Sequence, residues 1–216
     1  MKLPSTTVMT SIGILVISFL IGFLFFYVTT DKPKDVKKKQ LESILSFLIN
    51  FVIFIWVGKI VVNSKIFFQD PLAILAYPSN ASAFYIASVL IAINITYHLI
   101  RNRLNGMDVI NTFVPVFLAA SFIFSFAQLV INSYQQAWIT VVFLAILLLV
   151  YLFIQEKVPS HQSNLIIVVI WIFGQFILSI ISSFPTIFGY KVHAIYFICL
   201  LILVLVYIVY SNKRKV

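Results

Sequence analysis

Residues 8–28, VMTSIGILVISFLIGFLFFYV, contain no charged side chain and are followed directly by TTDKPKDVKKKQ, residues 29–40. The first segment has 21 residues. The hydrocarbon core of a bilayer is about 30 Å thick and a helix rises about 1.5 Å per residue, so this length is sufficient to cross it. The second segment carries five lysines and two aspartates. The pair of segments therefore predicts a membrane-spanning helix that ends at the bilayer surface.

The whole chain has the composition of an integral membrane protein. Of its 216 residues, 62% are hydrophobic and 10% are charged, and the mean hydropathy is +1.09. A water-soluble globular protein needs more charge on its surface. Similar apolar windows recur along the chain, and we predict an all-α, polytopic membrane protein with one transmembrane domain, residues 1–216. Its seven spans are predicted at about 8–28, 41–63, 81–100, 109–131, 137–154, 165–184 and 192–210.

The basic residues predict the orientation of the spans. Short loops rich in lysine and arginine stay in the cytoplasm during insertion. With residues 29–40 in the cytoplasm, 11 of the 15 basic residues lie inside and 4 lie outside. We therefore predict a multi-pass protein of the cytoplasmic membrane, with its N-terminus outside and its C-terminus inside. The cytoplasmic orienting cluster consists of Lys32, Lys34, Lys37, Lys38, Lys39, Arg101 and Arg103.

The orienting cluster needs no dedicated ligand. Attraction to anionic lipid headgroups, worth about 1 kcal/mol per basic residue near the surface, follows from its position. The net charge of +9 is distributed in short groups between apolar spans, so it does not predict a folded surface for nucleic acid. The expected partners are membrane lipids or another membrane protein. Richness in Phe, Ile, Asn and Lys is typical of an AT-rich bacterial genome.

Polar residues inside the spans follow helical spacing. In the span 165–184, Gln175, Ser179 and Ser182 recur at i, i+4 and i+7 and so share one face. Together with Asn50 and Gln128 they form a candidate polar cavity or packing face. Two interpretations remain open, hydrogen bonds between packed helices or a cavity that admits a headgroup or solute.

The ionisable residues form no recognisable catalytic or metal-binding pattern. Lys59, Asp70 and His193 fall on the predicted outer face and are candidate contacts for lipid headgroups. His98 and His193 fall near opposite faces. The single cysteine excludes both an intramolecular disulfide and a Cys-x-x-Cys pair. We predict no catalytic residue, no metal site and no cofactor.

Helix boundaries and connections are predicted from local signals. Glu42 and Asp108 are expected to begin spans, where a carboxylate complements the positive end of the helix dipole. Pro115 is expected to kink its span or to end a turn. The connections 132–136 and 185–191 are short enough to force tight hairpins.

Residues 70–113, DPLAILAYPSNASAFYIASVLIAINITYHLIRNRLNGMDVINTF, resemble the early part of the prolipoprotein diacylglyceryl transferase family. That family shows an Asp/Asn-Pro pair, a later proline, a spanning helix, a basic loop and an acidic residue that opens the next helix. The matching positions are Asp70, Pro71, Pro78, Arg101, Arg103 and Asp108. The resemblance implies seven spans and transfer of diacylglycerol from a phospholipid to a thiol, but the family's His-Gly-Gly-Leu motif has no counterpart here.

Three functions are compatible with these features. The leading prediction is a membrane protein without enzymatic activity that serves as a binding or assembly subunit for a membrane partner or a lipid. The first alternative is a divergent phospholipid-using transferase related to the family above. The second is a small-solute transporter or permease component.

Overall fold

The computed structural model describes residues 6–71, 80–101, 104–131, 137–181 and 186–213. These ranges contain eight helices and one two-stranded β-hairpin. In chain order they are α1 Thr6–Thr29, α2 Lys34–Val62, α3 Ser64–Gln69, α4 Ala81–Ile100, α5 Gly106–Ile131, α6 Ala137–Gln155, α7 Ser160–Ile181, β1 Thr186–Ile187, β2 Tyr190–Lys191 and α8 Ala194–Lys213.

Six of the described helices are long and apolar enough to cross a membrane. They are α1, α2, α4, α5, α6 and α7. In α8, the stretch Ala194–Leu205 is apolar as well. The chain is therefore an all-α, multi-pass membrane protein with one small β-hairpin, while a seventh span and the orientation of the termini stay predictions.

Helix α2 begins at Lys34, well before the predicted span. Pro33 precedes it with φ −54° and ψ 146°, and Asp35 lies in its first turn. The carboxylate that complements the helix dipole is therefore Asp35, and the prediction for Glu42 was wrong. Lysine and glutamine are good helix formers, so the helix includes the charged residues before its apolar part. Its 29 residues span about 44 Å, which exceeds the hydrocarbon thickness.

Helices α4 and α5 begin with side-chain caps. The Asn80 side-chain oxygen accepts a hydrogen bond from the backbone N–H of Ala83 at 3.0 Å, and Asn105 accepts from the N–H of Met107 at 3.1 Å. Such bonds satisfy N–H groups that the first turn of a helix leaves without partners. Asp108 lies in the first turn of α5 as predicted, and α5 continues through Pro115.

The chain divides into two compact units, Met1–Ala120 and Ser121–Val216. Helix α5 belongs to the first unit up to Ala120 and to the second from Ser121. The prediction of one domain over residues 1–216 stays a prediction.

In the first unit, two pairs of helices approach closely at glycines. A Cβ atom on Gly58 of α2 would lie 2.6 Å from the Ala83 carbonyl oxygen of α4, and one on Gly22 of α1 would lie 2.5 Å from the Val116 carbonyl oxygen of α5. Near the other end of α4, the rings of Phe47 and His98 are 6.1 Å apart. Helices α2 and α4 therefore run antiparallel, with glycine allowing their backbones to meet.

In the second unit, aromatic side chains join α6, α7 and α8. The Phe143 ring of α6 lies against Gly174 of α7, and the Trp171 and Phe197 rings lie edge to face at 6.1 Å. Phe197 is fully buried. The core of this unit is thus built on packing of large rings.

A β-hairpin connects α7 to α8 in the second unit. Thr186 pairs with Lys191, and Ile187 pairs with Tyr190. The two turn residues, Phe188 and Gly189, both have positive φ values, 48° and 87°. Such a turn matches the twist of the two strands, although the conformation is unfavourable for phenylalanine. The connection 185–191, predicted to be a tight hairpin, therefore contains a β-turn and two short strands in its described part, while the connection 132–136 lies outside the described residues.

Candidate functional site

Residues 29–40, here called the lysine segment, are held at the start of α5 by a three-residue network. The Lys32 Nζ atom lies 3.1 Å from Asp108 Oδ1 and forms an ion pair with it. Gln40 Nε2 donates to the same oxygen at 2.7 Å, and Lys32 also donates to Gln40 Oε1 at 3.3 Å. One carboxylate thus holds two side chains from the segment 29–40.

A second contact holds the segment against α1. Lys37 Nζ donates to the Tyr27 backbone oxygen at 2.8 Å and lies 4.9 Å from the centre of the Tyr27 ring. A cation over an aromatic face is attracted by the ring quadrupole. Lys32 and Lys37 therefore act inside the first unit and are only half exposed.

The remaining residues of the orienting cluster are exposed. Lys34, Lys38 and Lys39 are exposed along the first turns of α2. Arg101 is exposed and lies 5.4 Å from the centre of the Tyr97 ring. Arg103 lies outside the described residues. The cluster predicted as one group thus contains lysines bound within the protein and lysines that face outward.

The Lys32–Asp108 pair also relates two connections of the first unit. Lys32 lies between α1 and α2, and Asp108 follows the connection between α4 and α5. Because their side chains meet, the two connections lie at the same end of the helices of the first unit. Placement of both basic loops in the cytoplasm stays a prediction.

The second unit contains a small cavity beneath the β-hairpin. Its volume is about 10 Å³, which is the size of one water site. Helices α5, α6 and α7 and the hairpin all contribute to its wall. The lining residues are Ser121, Phe124, Ser125, Thr140, Leu144, Trp171, Gln175, Thr186, Ile187 and Phe188.

Phe188 and Phe124 line the cavity next to each other. Their rings lie edge to face with centroids 5.4 Å apart. Ile187 is 7% exposed, so the hairpin is packed onto the helices below it. This contact offsets the unfavourable positive φ of Phe188.

The predicted polar face is divided between the two units. Asn50 is half buried in the first unit, whereas Gln128 and Gln175 belong to the second. Gln175 is 3% exposed and lines the cavity. Ser179 donates its hydroxyl to the Phe176 backbone oxygen at 2.6 Å, which is a bond within its own helix. Ser182 lies outside the described residues.

The candidate headgroup contacts are also divided. Lys59 lies half buried in the last turn of α2, and Asp70 is exposed directly after α3; both belong to the first unit. His193 is exposed directly before α8 in the second unit. Their role as headgroup contacts stays a prediction. Within the described ranges, no group of three or more histidine, cysteine, aspartate or glutamate residues is placed to hold a metal ion.

Comparison of the chain with models of known protein families, with characterised proteins and with solved structures finds no match. The resemblance of residues 70–113 to the diacylglyceryl transferase family therefore stays a prediction from the sequence.

Sequence reasoning missed the binding partners of two predicted residues. Lys32 and Asp108 are separated by 76 positions, and each was explained by a local effect. Gln40 was not singled out at all. The only sequence signal for this network is that its members lie on two connections predicted to share one side of the membrane.

Proposed function

We propose that this chain is a binding or assembly subunit of a cytoplasmic membrane, and that the start of α2 contacts anionic lipid headgroups. The observation that carries the proposal is the division of the lysine segment. Lys32 and Lys37 are held by groups of the first unit, while Lys34, Lys38 and Lys39 are exposed beside them. The exposed lysines are thus presented on an anchored helix.

Geometry and charge support a lipid partner. Lys34 and Lys38 are four residues apart on α2 and so lie on the same side of the helix. Each basic residue near an anionic leaflet contributes about 1 kcal/mol of attraction. Because the anchoring contacts restrict the segment before binding, less conformational entropy is lost when headgroups bind. A membrane protein with an acidic surface at the same depth would use the same contacts.

Seven spans with an outer N-terminus complete the proposal. It is supported by the excess of basic residues on one side, 11 against 4, and by the meeting of Lys32 with Asp108. Reporter fusions after residues 36, 105, 160 and 216 should all report the cytoplasm. A periplasmic signal from the fusions at 36 and 216 would contradict the orientation.

Lipid retention tests the binding role. The full chain is purified in mild detergent from membranes, and the retained phospholipids are quantified by mass spectrometry. A variant with Lys34, Lys38 and Lys39 changed to glutamine should lose most of its anionic lipid. The matched control changes Lys65, Lys157 and Lys191 to glutamine, which removes the same net charge elsewhere. Equal loss of anionic lipid in both variants would refute a role for the start of α2.

A further inference from the structure

The cavity beneath the β-hairpin has a polar wall built from three helices. Ser121 and Ser125 come from α5, Thr140 from α6 and Gln175 from α7. No hydrogen bond joins any of these four side chains to another residue in the described part of the chain. Each of the three hydroxyl groups can both donate and accept a hydrogen bond, and so can the side-chain amide of Gln175.

Buried hydroxyls elsewhere in the protein behave differently. Ser18 donates to the Ile14 carbonyl at 2.7 Å, Thr112 to the Asp108 carbonyl at 2.8 Å, and Ser163 to the Ser160 carbonyl at 3.0 Å. Bonds of this kind, three or four residues back along the helix, are the usual way to satisfy a hydroxyl within a helix. The half-buried hydroxyls of Ser121, Ser125 and Thr140 form no such bond in the described part of the chain, so they are available to another partner.

We propose that this cavity binds one uncharged, hydrogen-bonding molecule of the size of water, and that an ordered water molecule occupies it. The volume of about 10 Å³ admits one water. No lining residue in the described ranges carries a charge, so the wall offers a cation no carboxylate and an anion no basic group. A buried water needs two to four polar partners, and the cavity supplies four side chains.

The bound water links helices that are not otherwise joined by these side chains. It accepts from the Gln175 amide of α7 and exchanges hydrogen bonds with hydroxyls of α5 and α6. Such a bridge is nearly as favourable in enthalpy as direct hydrogen bonds. The Phe188 and Phe124 rings, which lie edge to face, form part of the wall of the site. This site lies in the second unit and does not depend on the proposed role of the lysine segment.

Coupling between side chains tests the shared water. We compare thermal unfolding of the full chain in nanodiscs for Ser125→Ala, Thr140→Val and the double variant. Because either change alone weakens the same water site, the double variant should lose clearly less in melting temperature than the sum of the single losses. The control pair, Ser43→Ala and Thr96→Val, removes hydroxyls that bond within separate helices and should be additive. Additive losses in the cavity pair would refute a shared occupant.

Two further measurements use the unmodified protein. Its melting temperature should not change when sodium, potassium or lithium replaces choline at constant ionic strength. A saturable rise with one of these ions would overturn the assignment in favour of a cation. A density map at a resolution that shows waters should contain a peak within hydrogen-bond distance of the Gln175 amide and at least two hydroxyls. A map without such a peak would refute the proposal even where the variants fail to fold.

Discussion

The two units of this protein satisfy their polar side chains in different ways. In the first unit, Lys32 and Gln40 bind Asp108 directly, at 3.1 and 2.7 Å. In the second, Gln175 and Ser125 face a cavity. The direct network lies where side chains are partly hydrated, with Lys32 30% exposed, whereas Gln175 is 3% exposed. A partly exposed group can form an ion pair and still form hydrogen bonds with solvent. A buried amide can find hydrogen-bond partners only inside the protein.

The close helix contacts differ in a similar way. Gly58 in the first unit meets the backbone of Ala83, and Gly174 in the second meets the ring of Phe143. A backbone cannot move without its whole helix, but a phenylalanine ring can rotate about its side-chain bonds. The helix crossing at Gly58 therefore tolerates an added Cβ atom poorly, and the crossing at Gly174 tolerates one better.

Replacement of the two glycines should give the largest contrast. Gly58→Ala would place a Cβ atom 2.6 Å from the Ala83 carbonyl oxygen and should destabilise the protein by up to about 3 kcal/mol. Gly174→Ala should cost less than about 1 kcal/mol, because Phe143 can rotate and alanine favours the helix. Thermal unfolding in detergent measures both. Equal losses would show that the two helix contacts are equally rigid.

Removal of the buried amide should have the next largest effect. Gln175→Leu removes the amide that bonds the proposed water and should cost about 1.5 kcal/mol. Ser179→Leu alone should cost less, because its hydroxyl bonds within its own helix and the residue is half buried. The two changes together should disrupt assembly or stability, seen as loss of the monodisperse peak in size exclusion. A larger loss for Ser179→Leu alone would show that the cavity is not the sensitive part of this face.

Loss of the Asp108 carboxylate should have a smaller effect that depends on salt. Asp108→Ala removes the acceptor for Lys32 and Gln40 and should cost about 1 kcal/mol or less, since the pair is partly exposed. A double-mutant cycle with Lys32→Ala isolates the ion pair from the helix-dipole effect. The coupling should weaken in high salt. A coupling that does not change with salt would show that the network is shielded from solvent.

The smallest effects are expected at the candidate headgroup contacts. Lys59→Ala and His193→Ala should each change stability by less than about 0.5 kcal/mol and leave the cellular phenotype nearly intact. Complementation of a deletion strain, together with membrane protein levels, measures this. A folded His193→Ala protein that accumulates unmodified lipoprotein would instead support the transferase alternative.

Several features were predictable because they depend on individual residues and their neighbours in the chain. The predicted apolar windows agree with α1, α4, α5 and α6 to within a few residues at both ends, since burial of apolar side chains in lipid is a sum over residues. The position of Asp108 in the first turn of α5 was also predictable, because a carboxylate there complements the positive end of the helix dipole. The early start of α2 at Lys34 was missed, because a hydropathy window ends where the helix becomes hydrated.

The sequence by itself determined that the chain crosses a membrane several times, and it identified Gln175 as a polar residue on a helix face. Only the tertiary structure decided which groups meet: Lys32 with Asp108 across 76 positions, and Gln175 with Thr140 around one cavity. The physical reason is that transfer into lipid is a property of each segment, whereas hydrogen bonds and close contacts depend on where helices cross and on which side chains the crossing brings within about 3 Å.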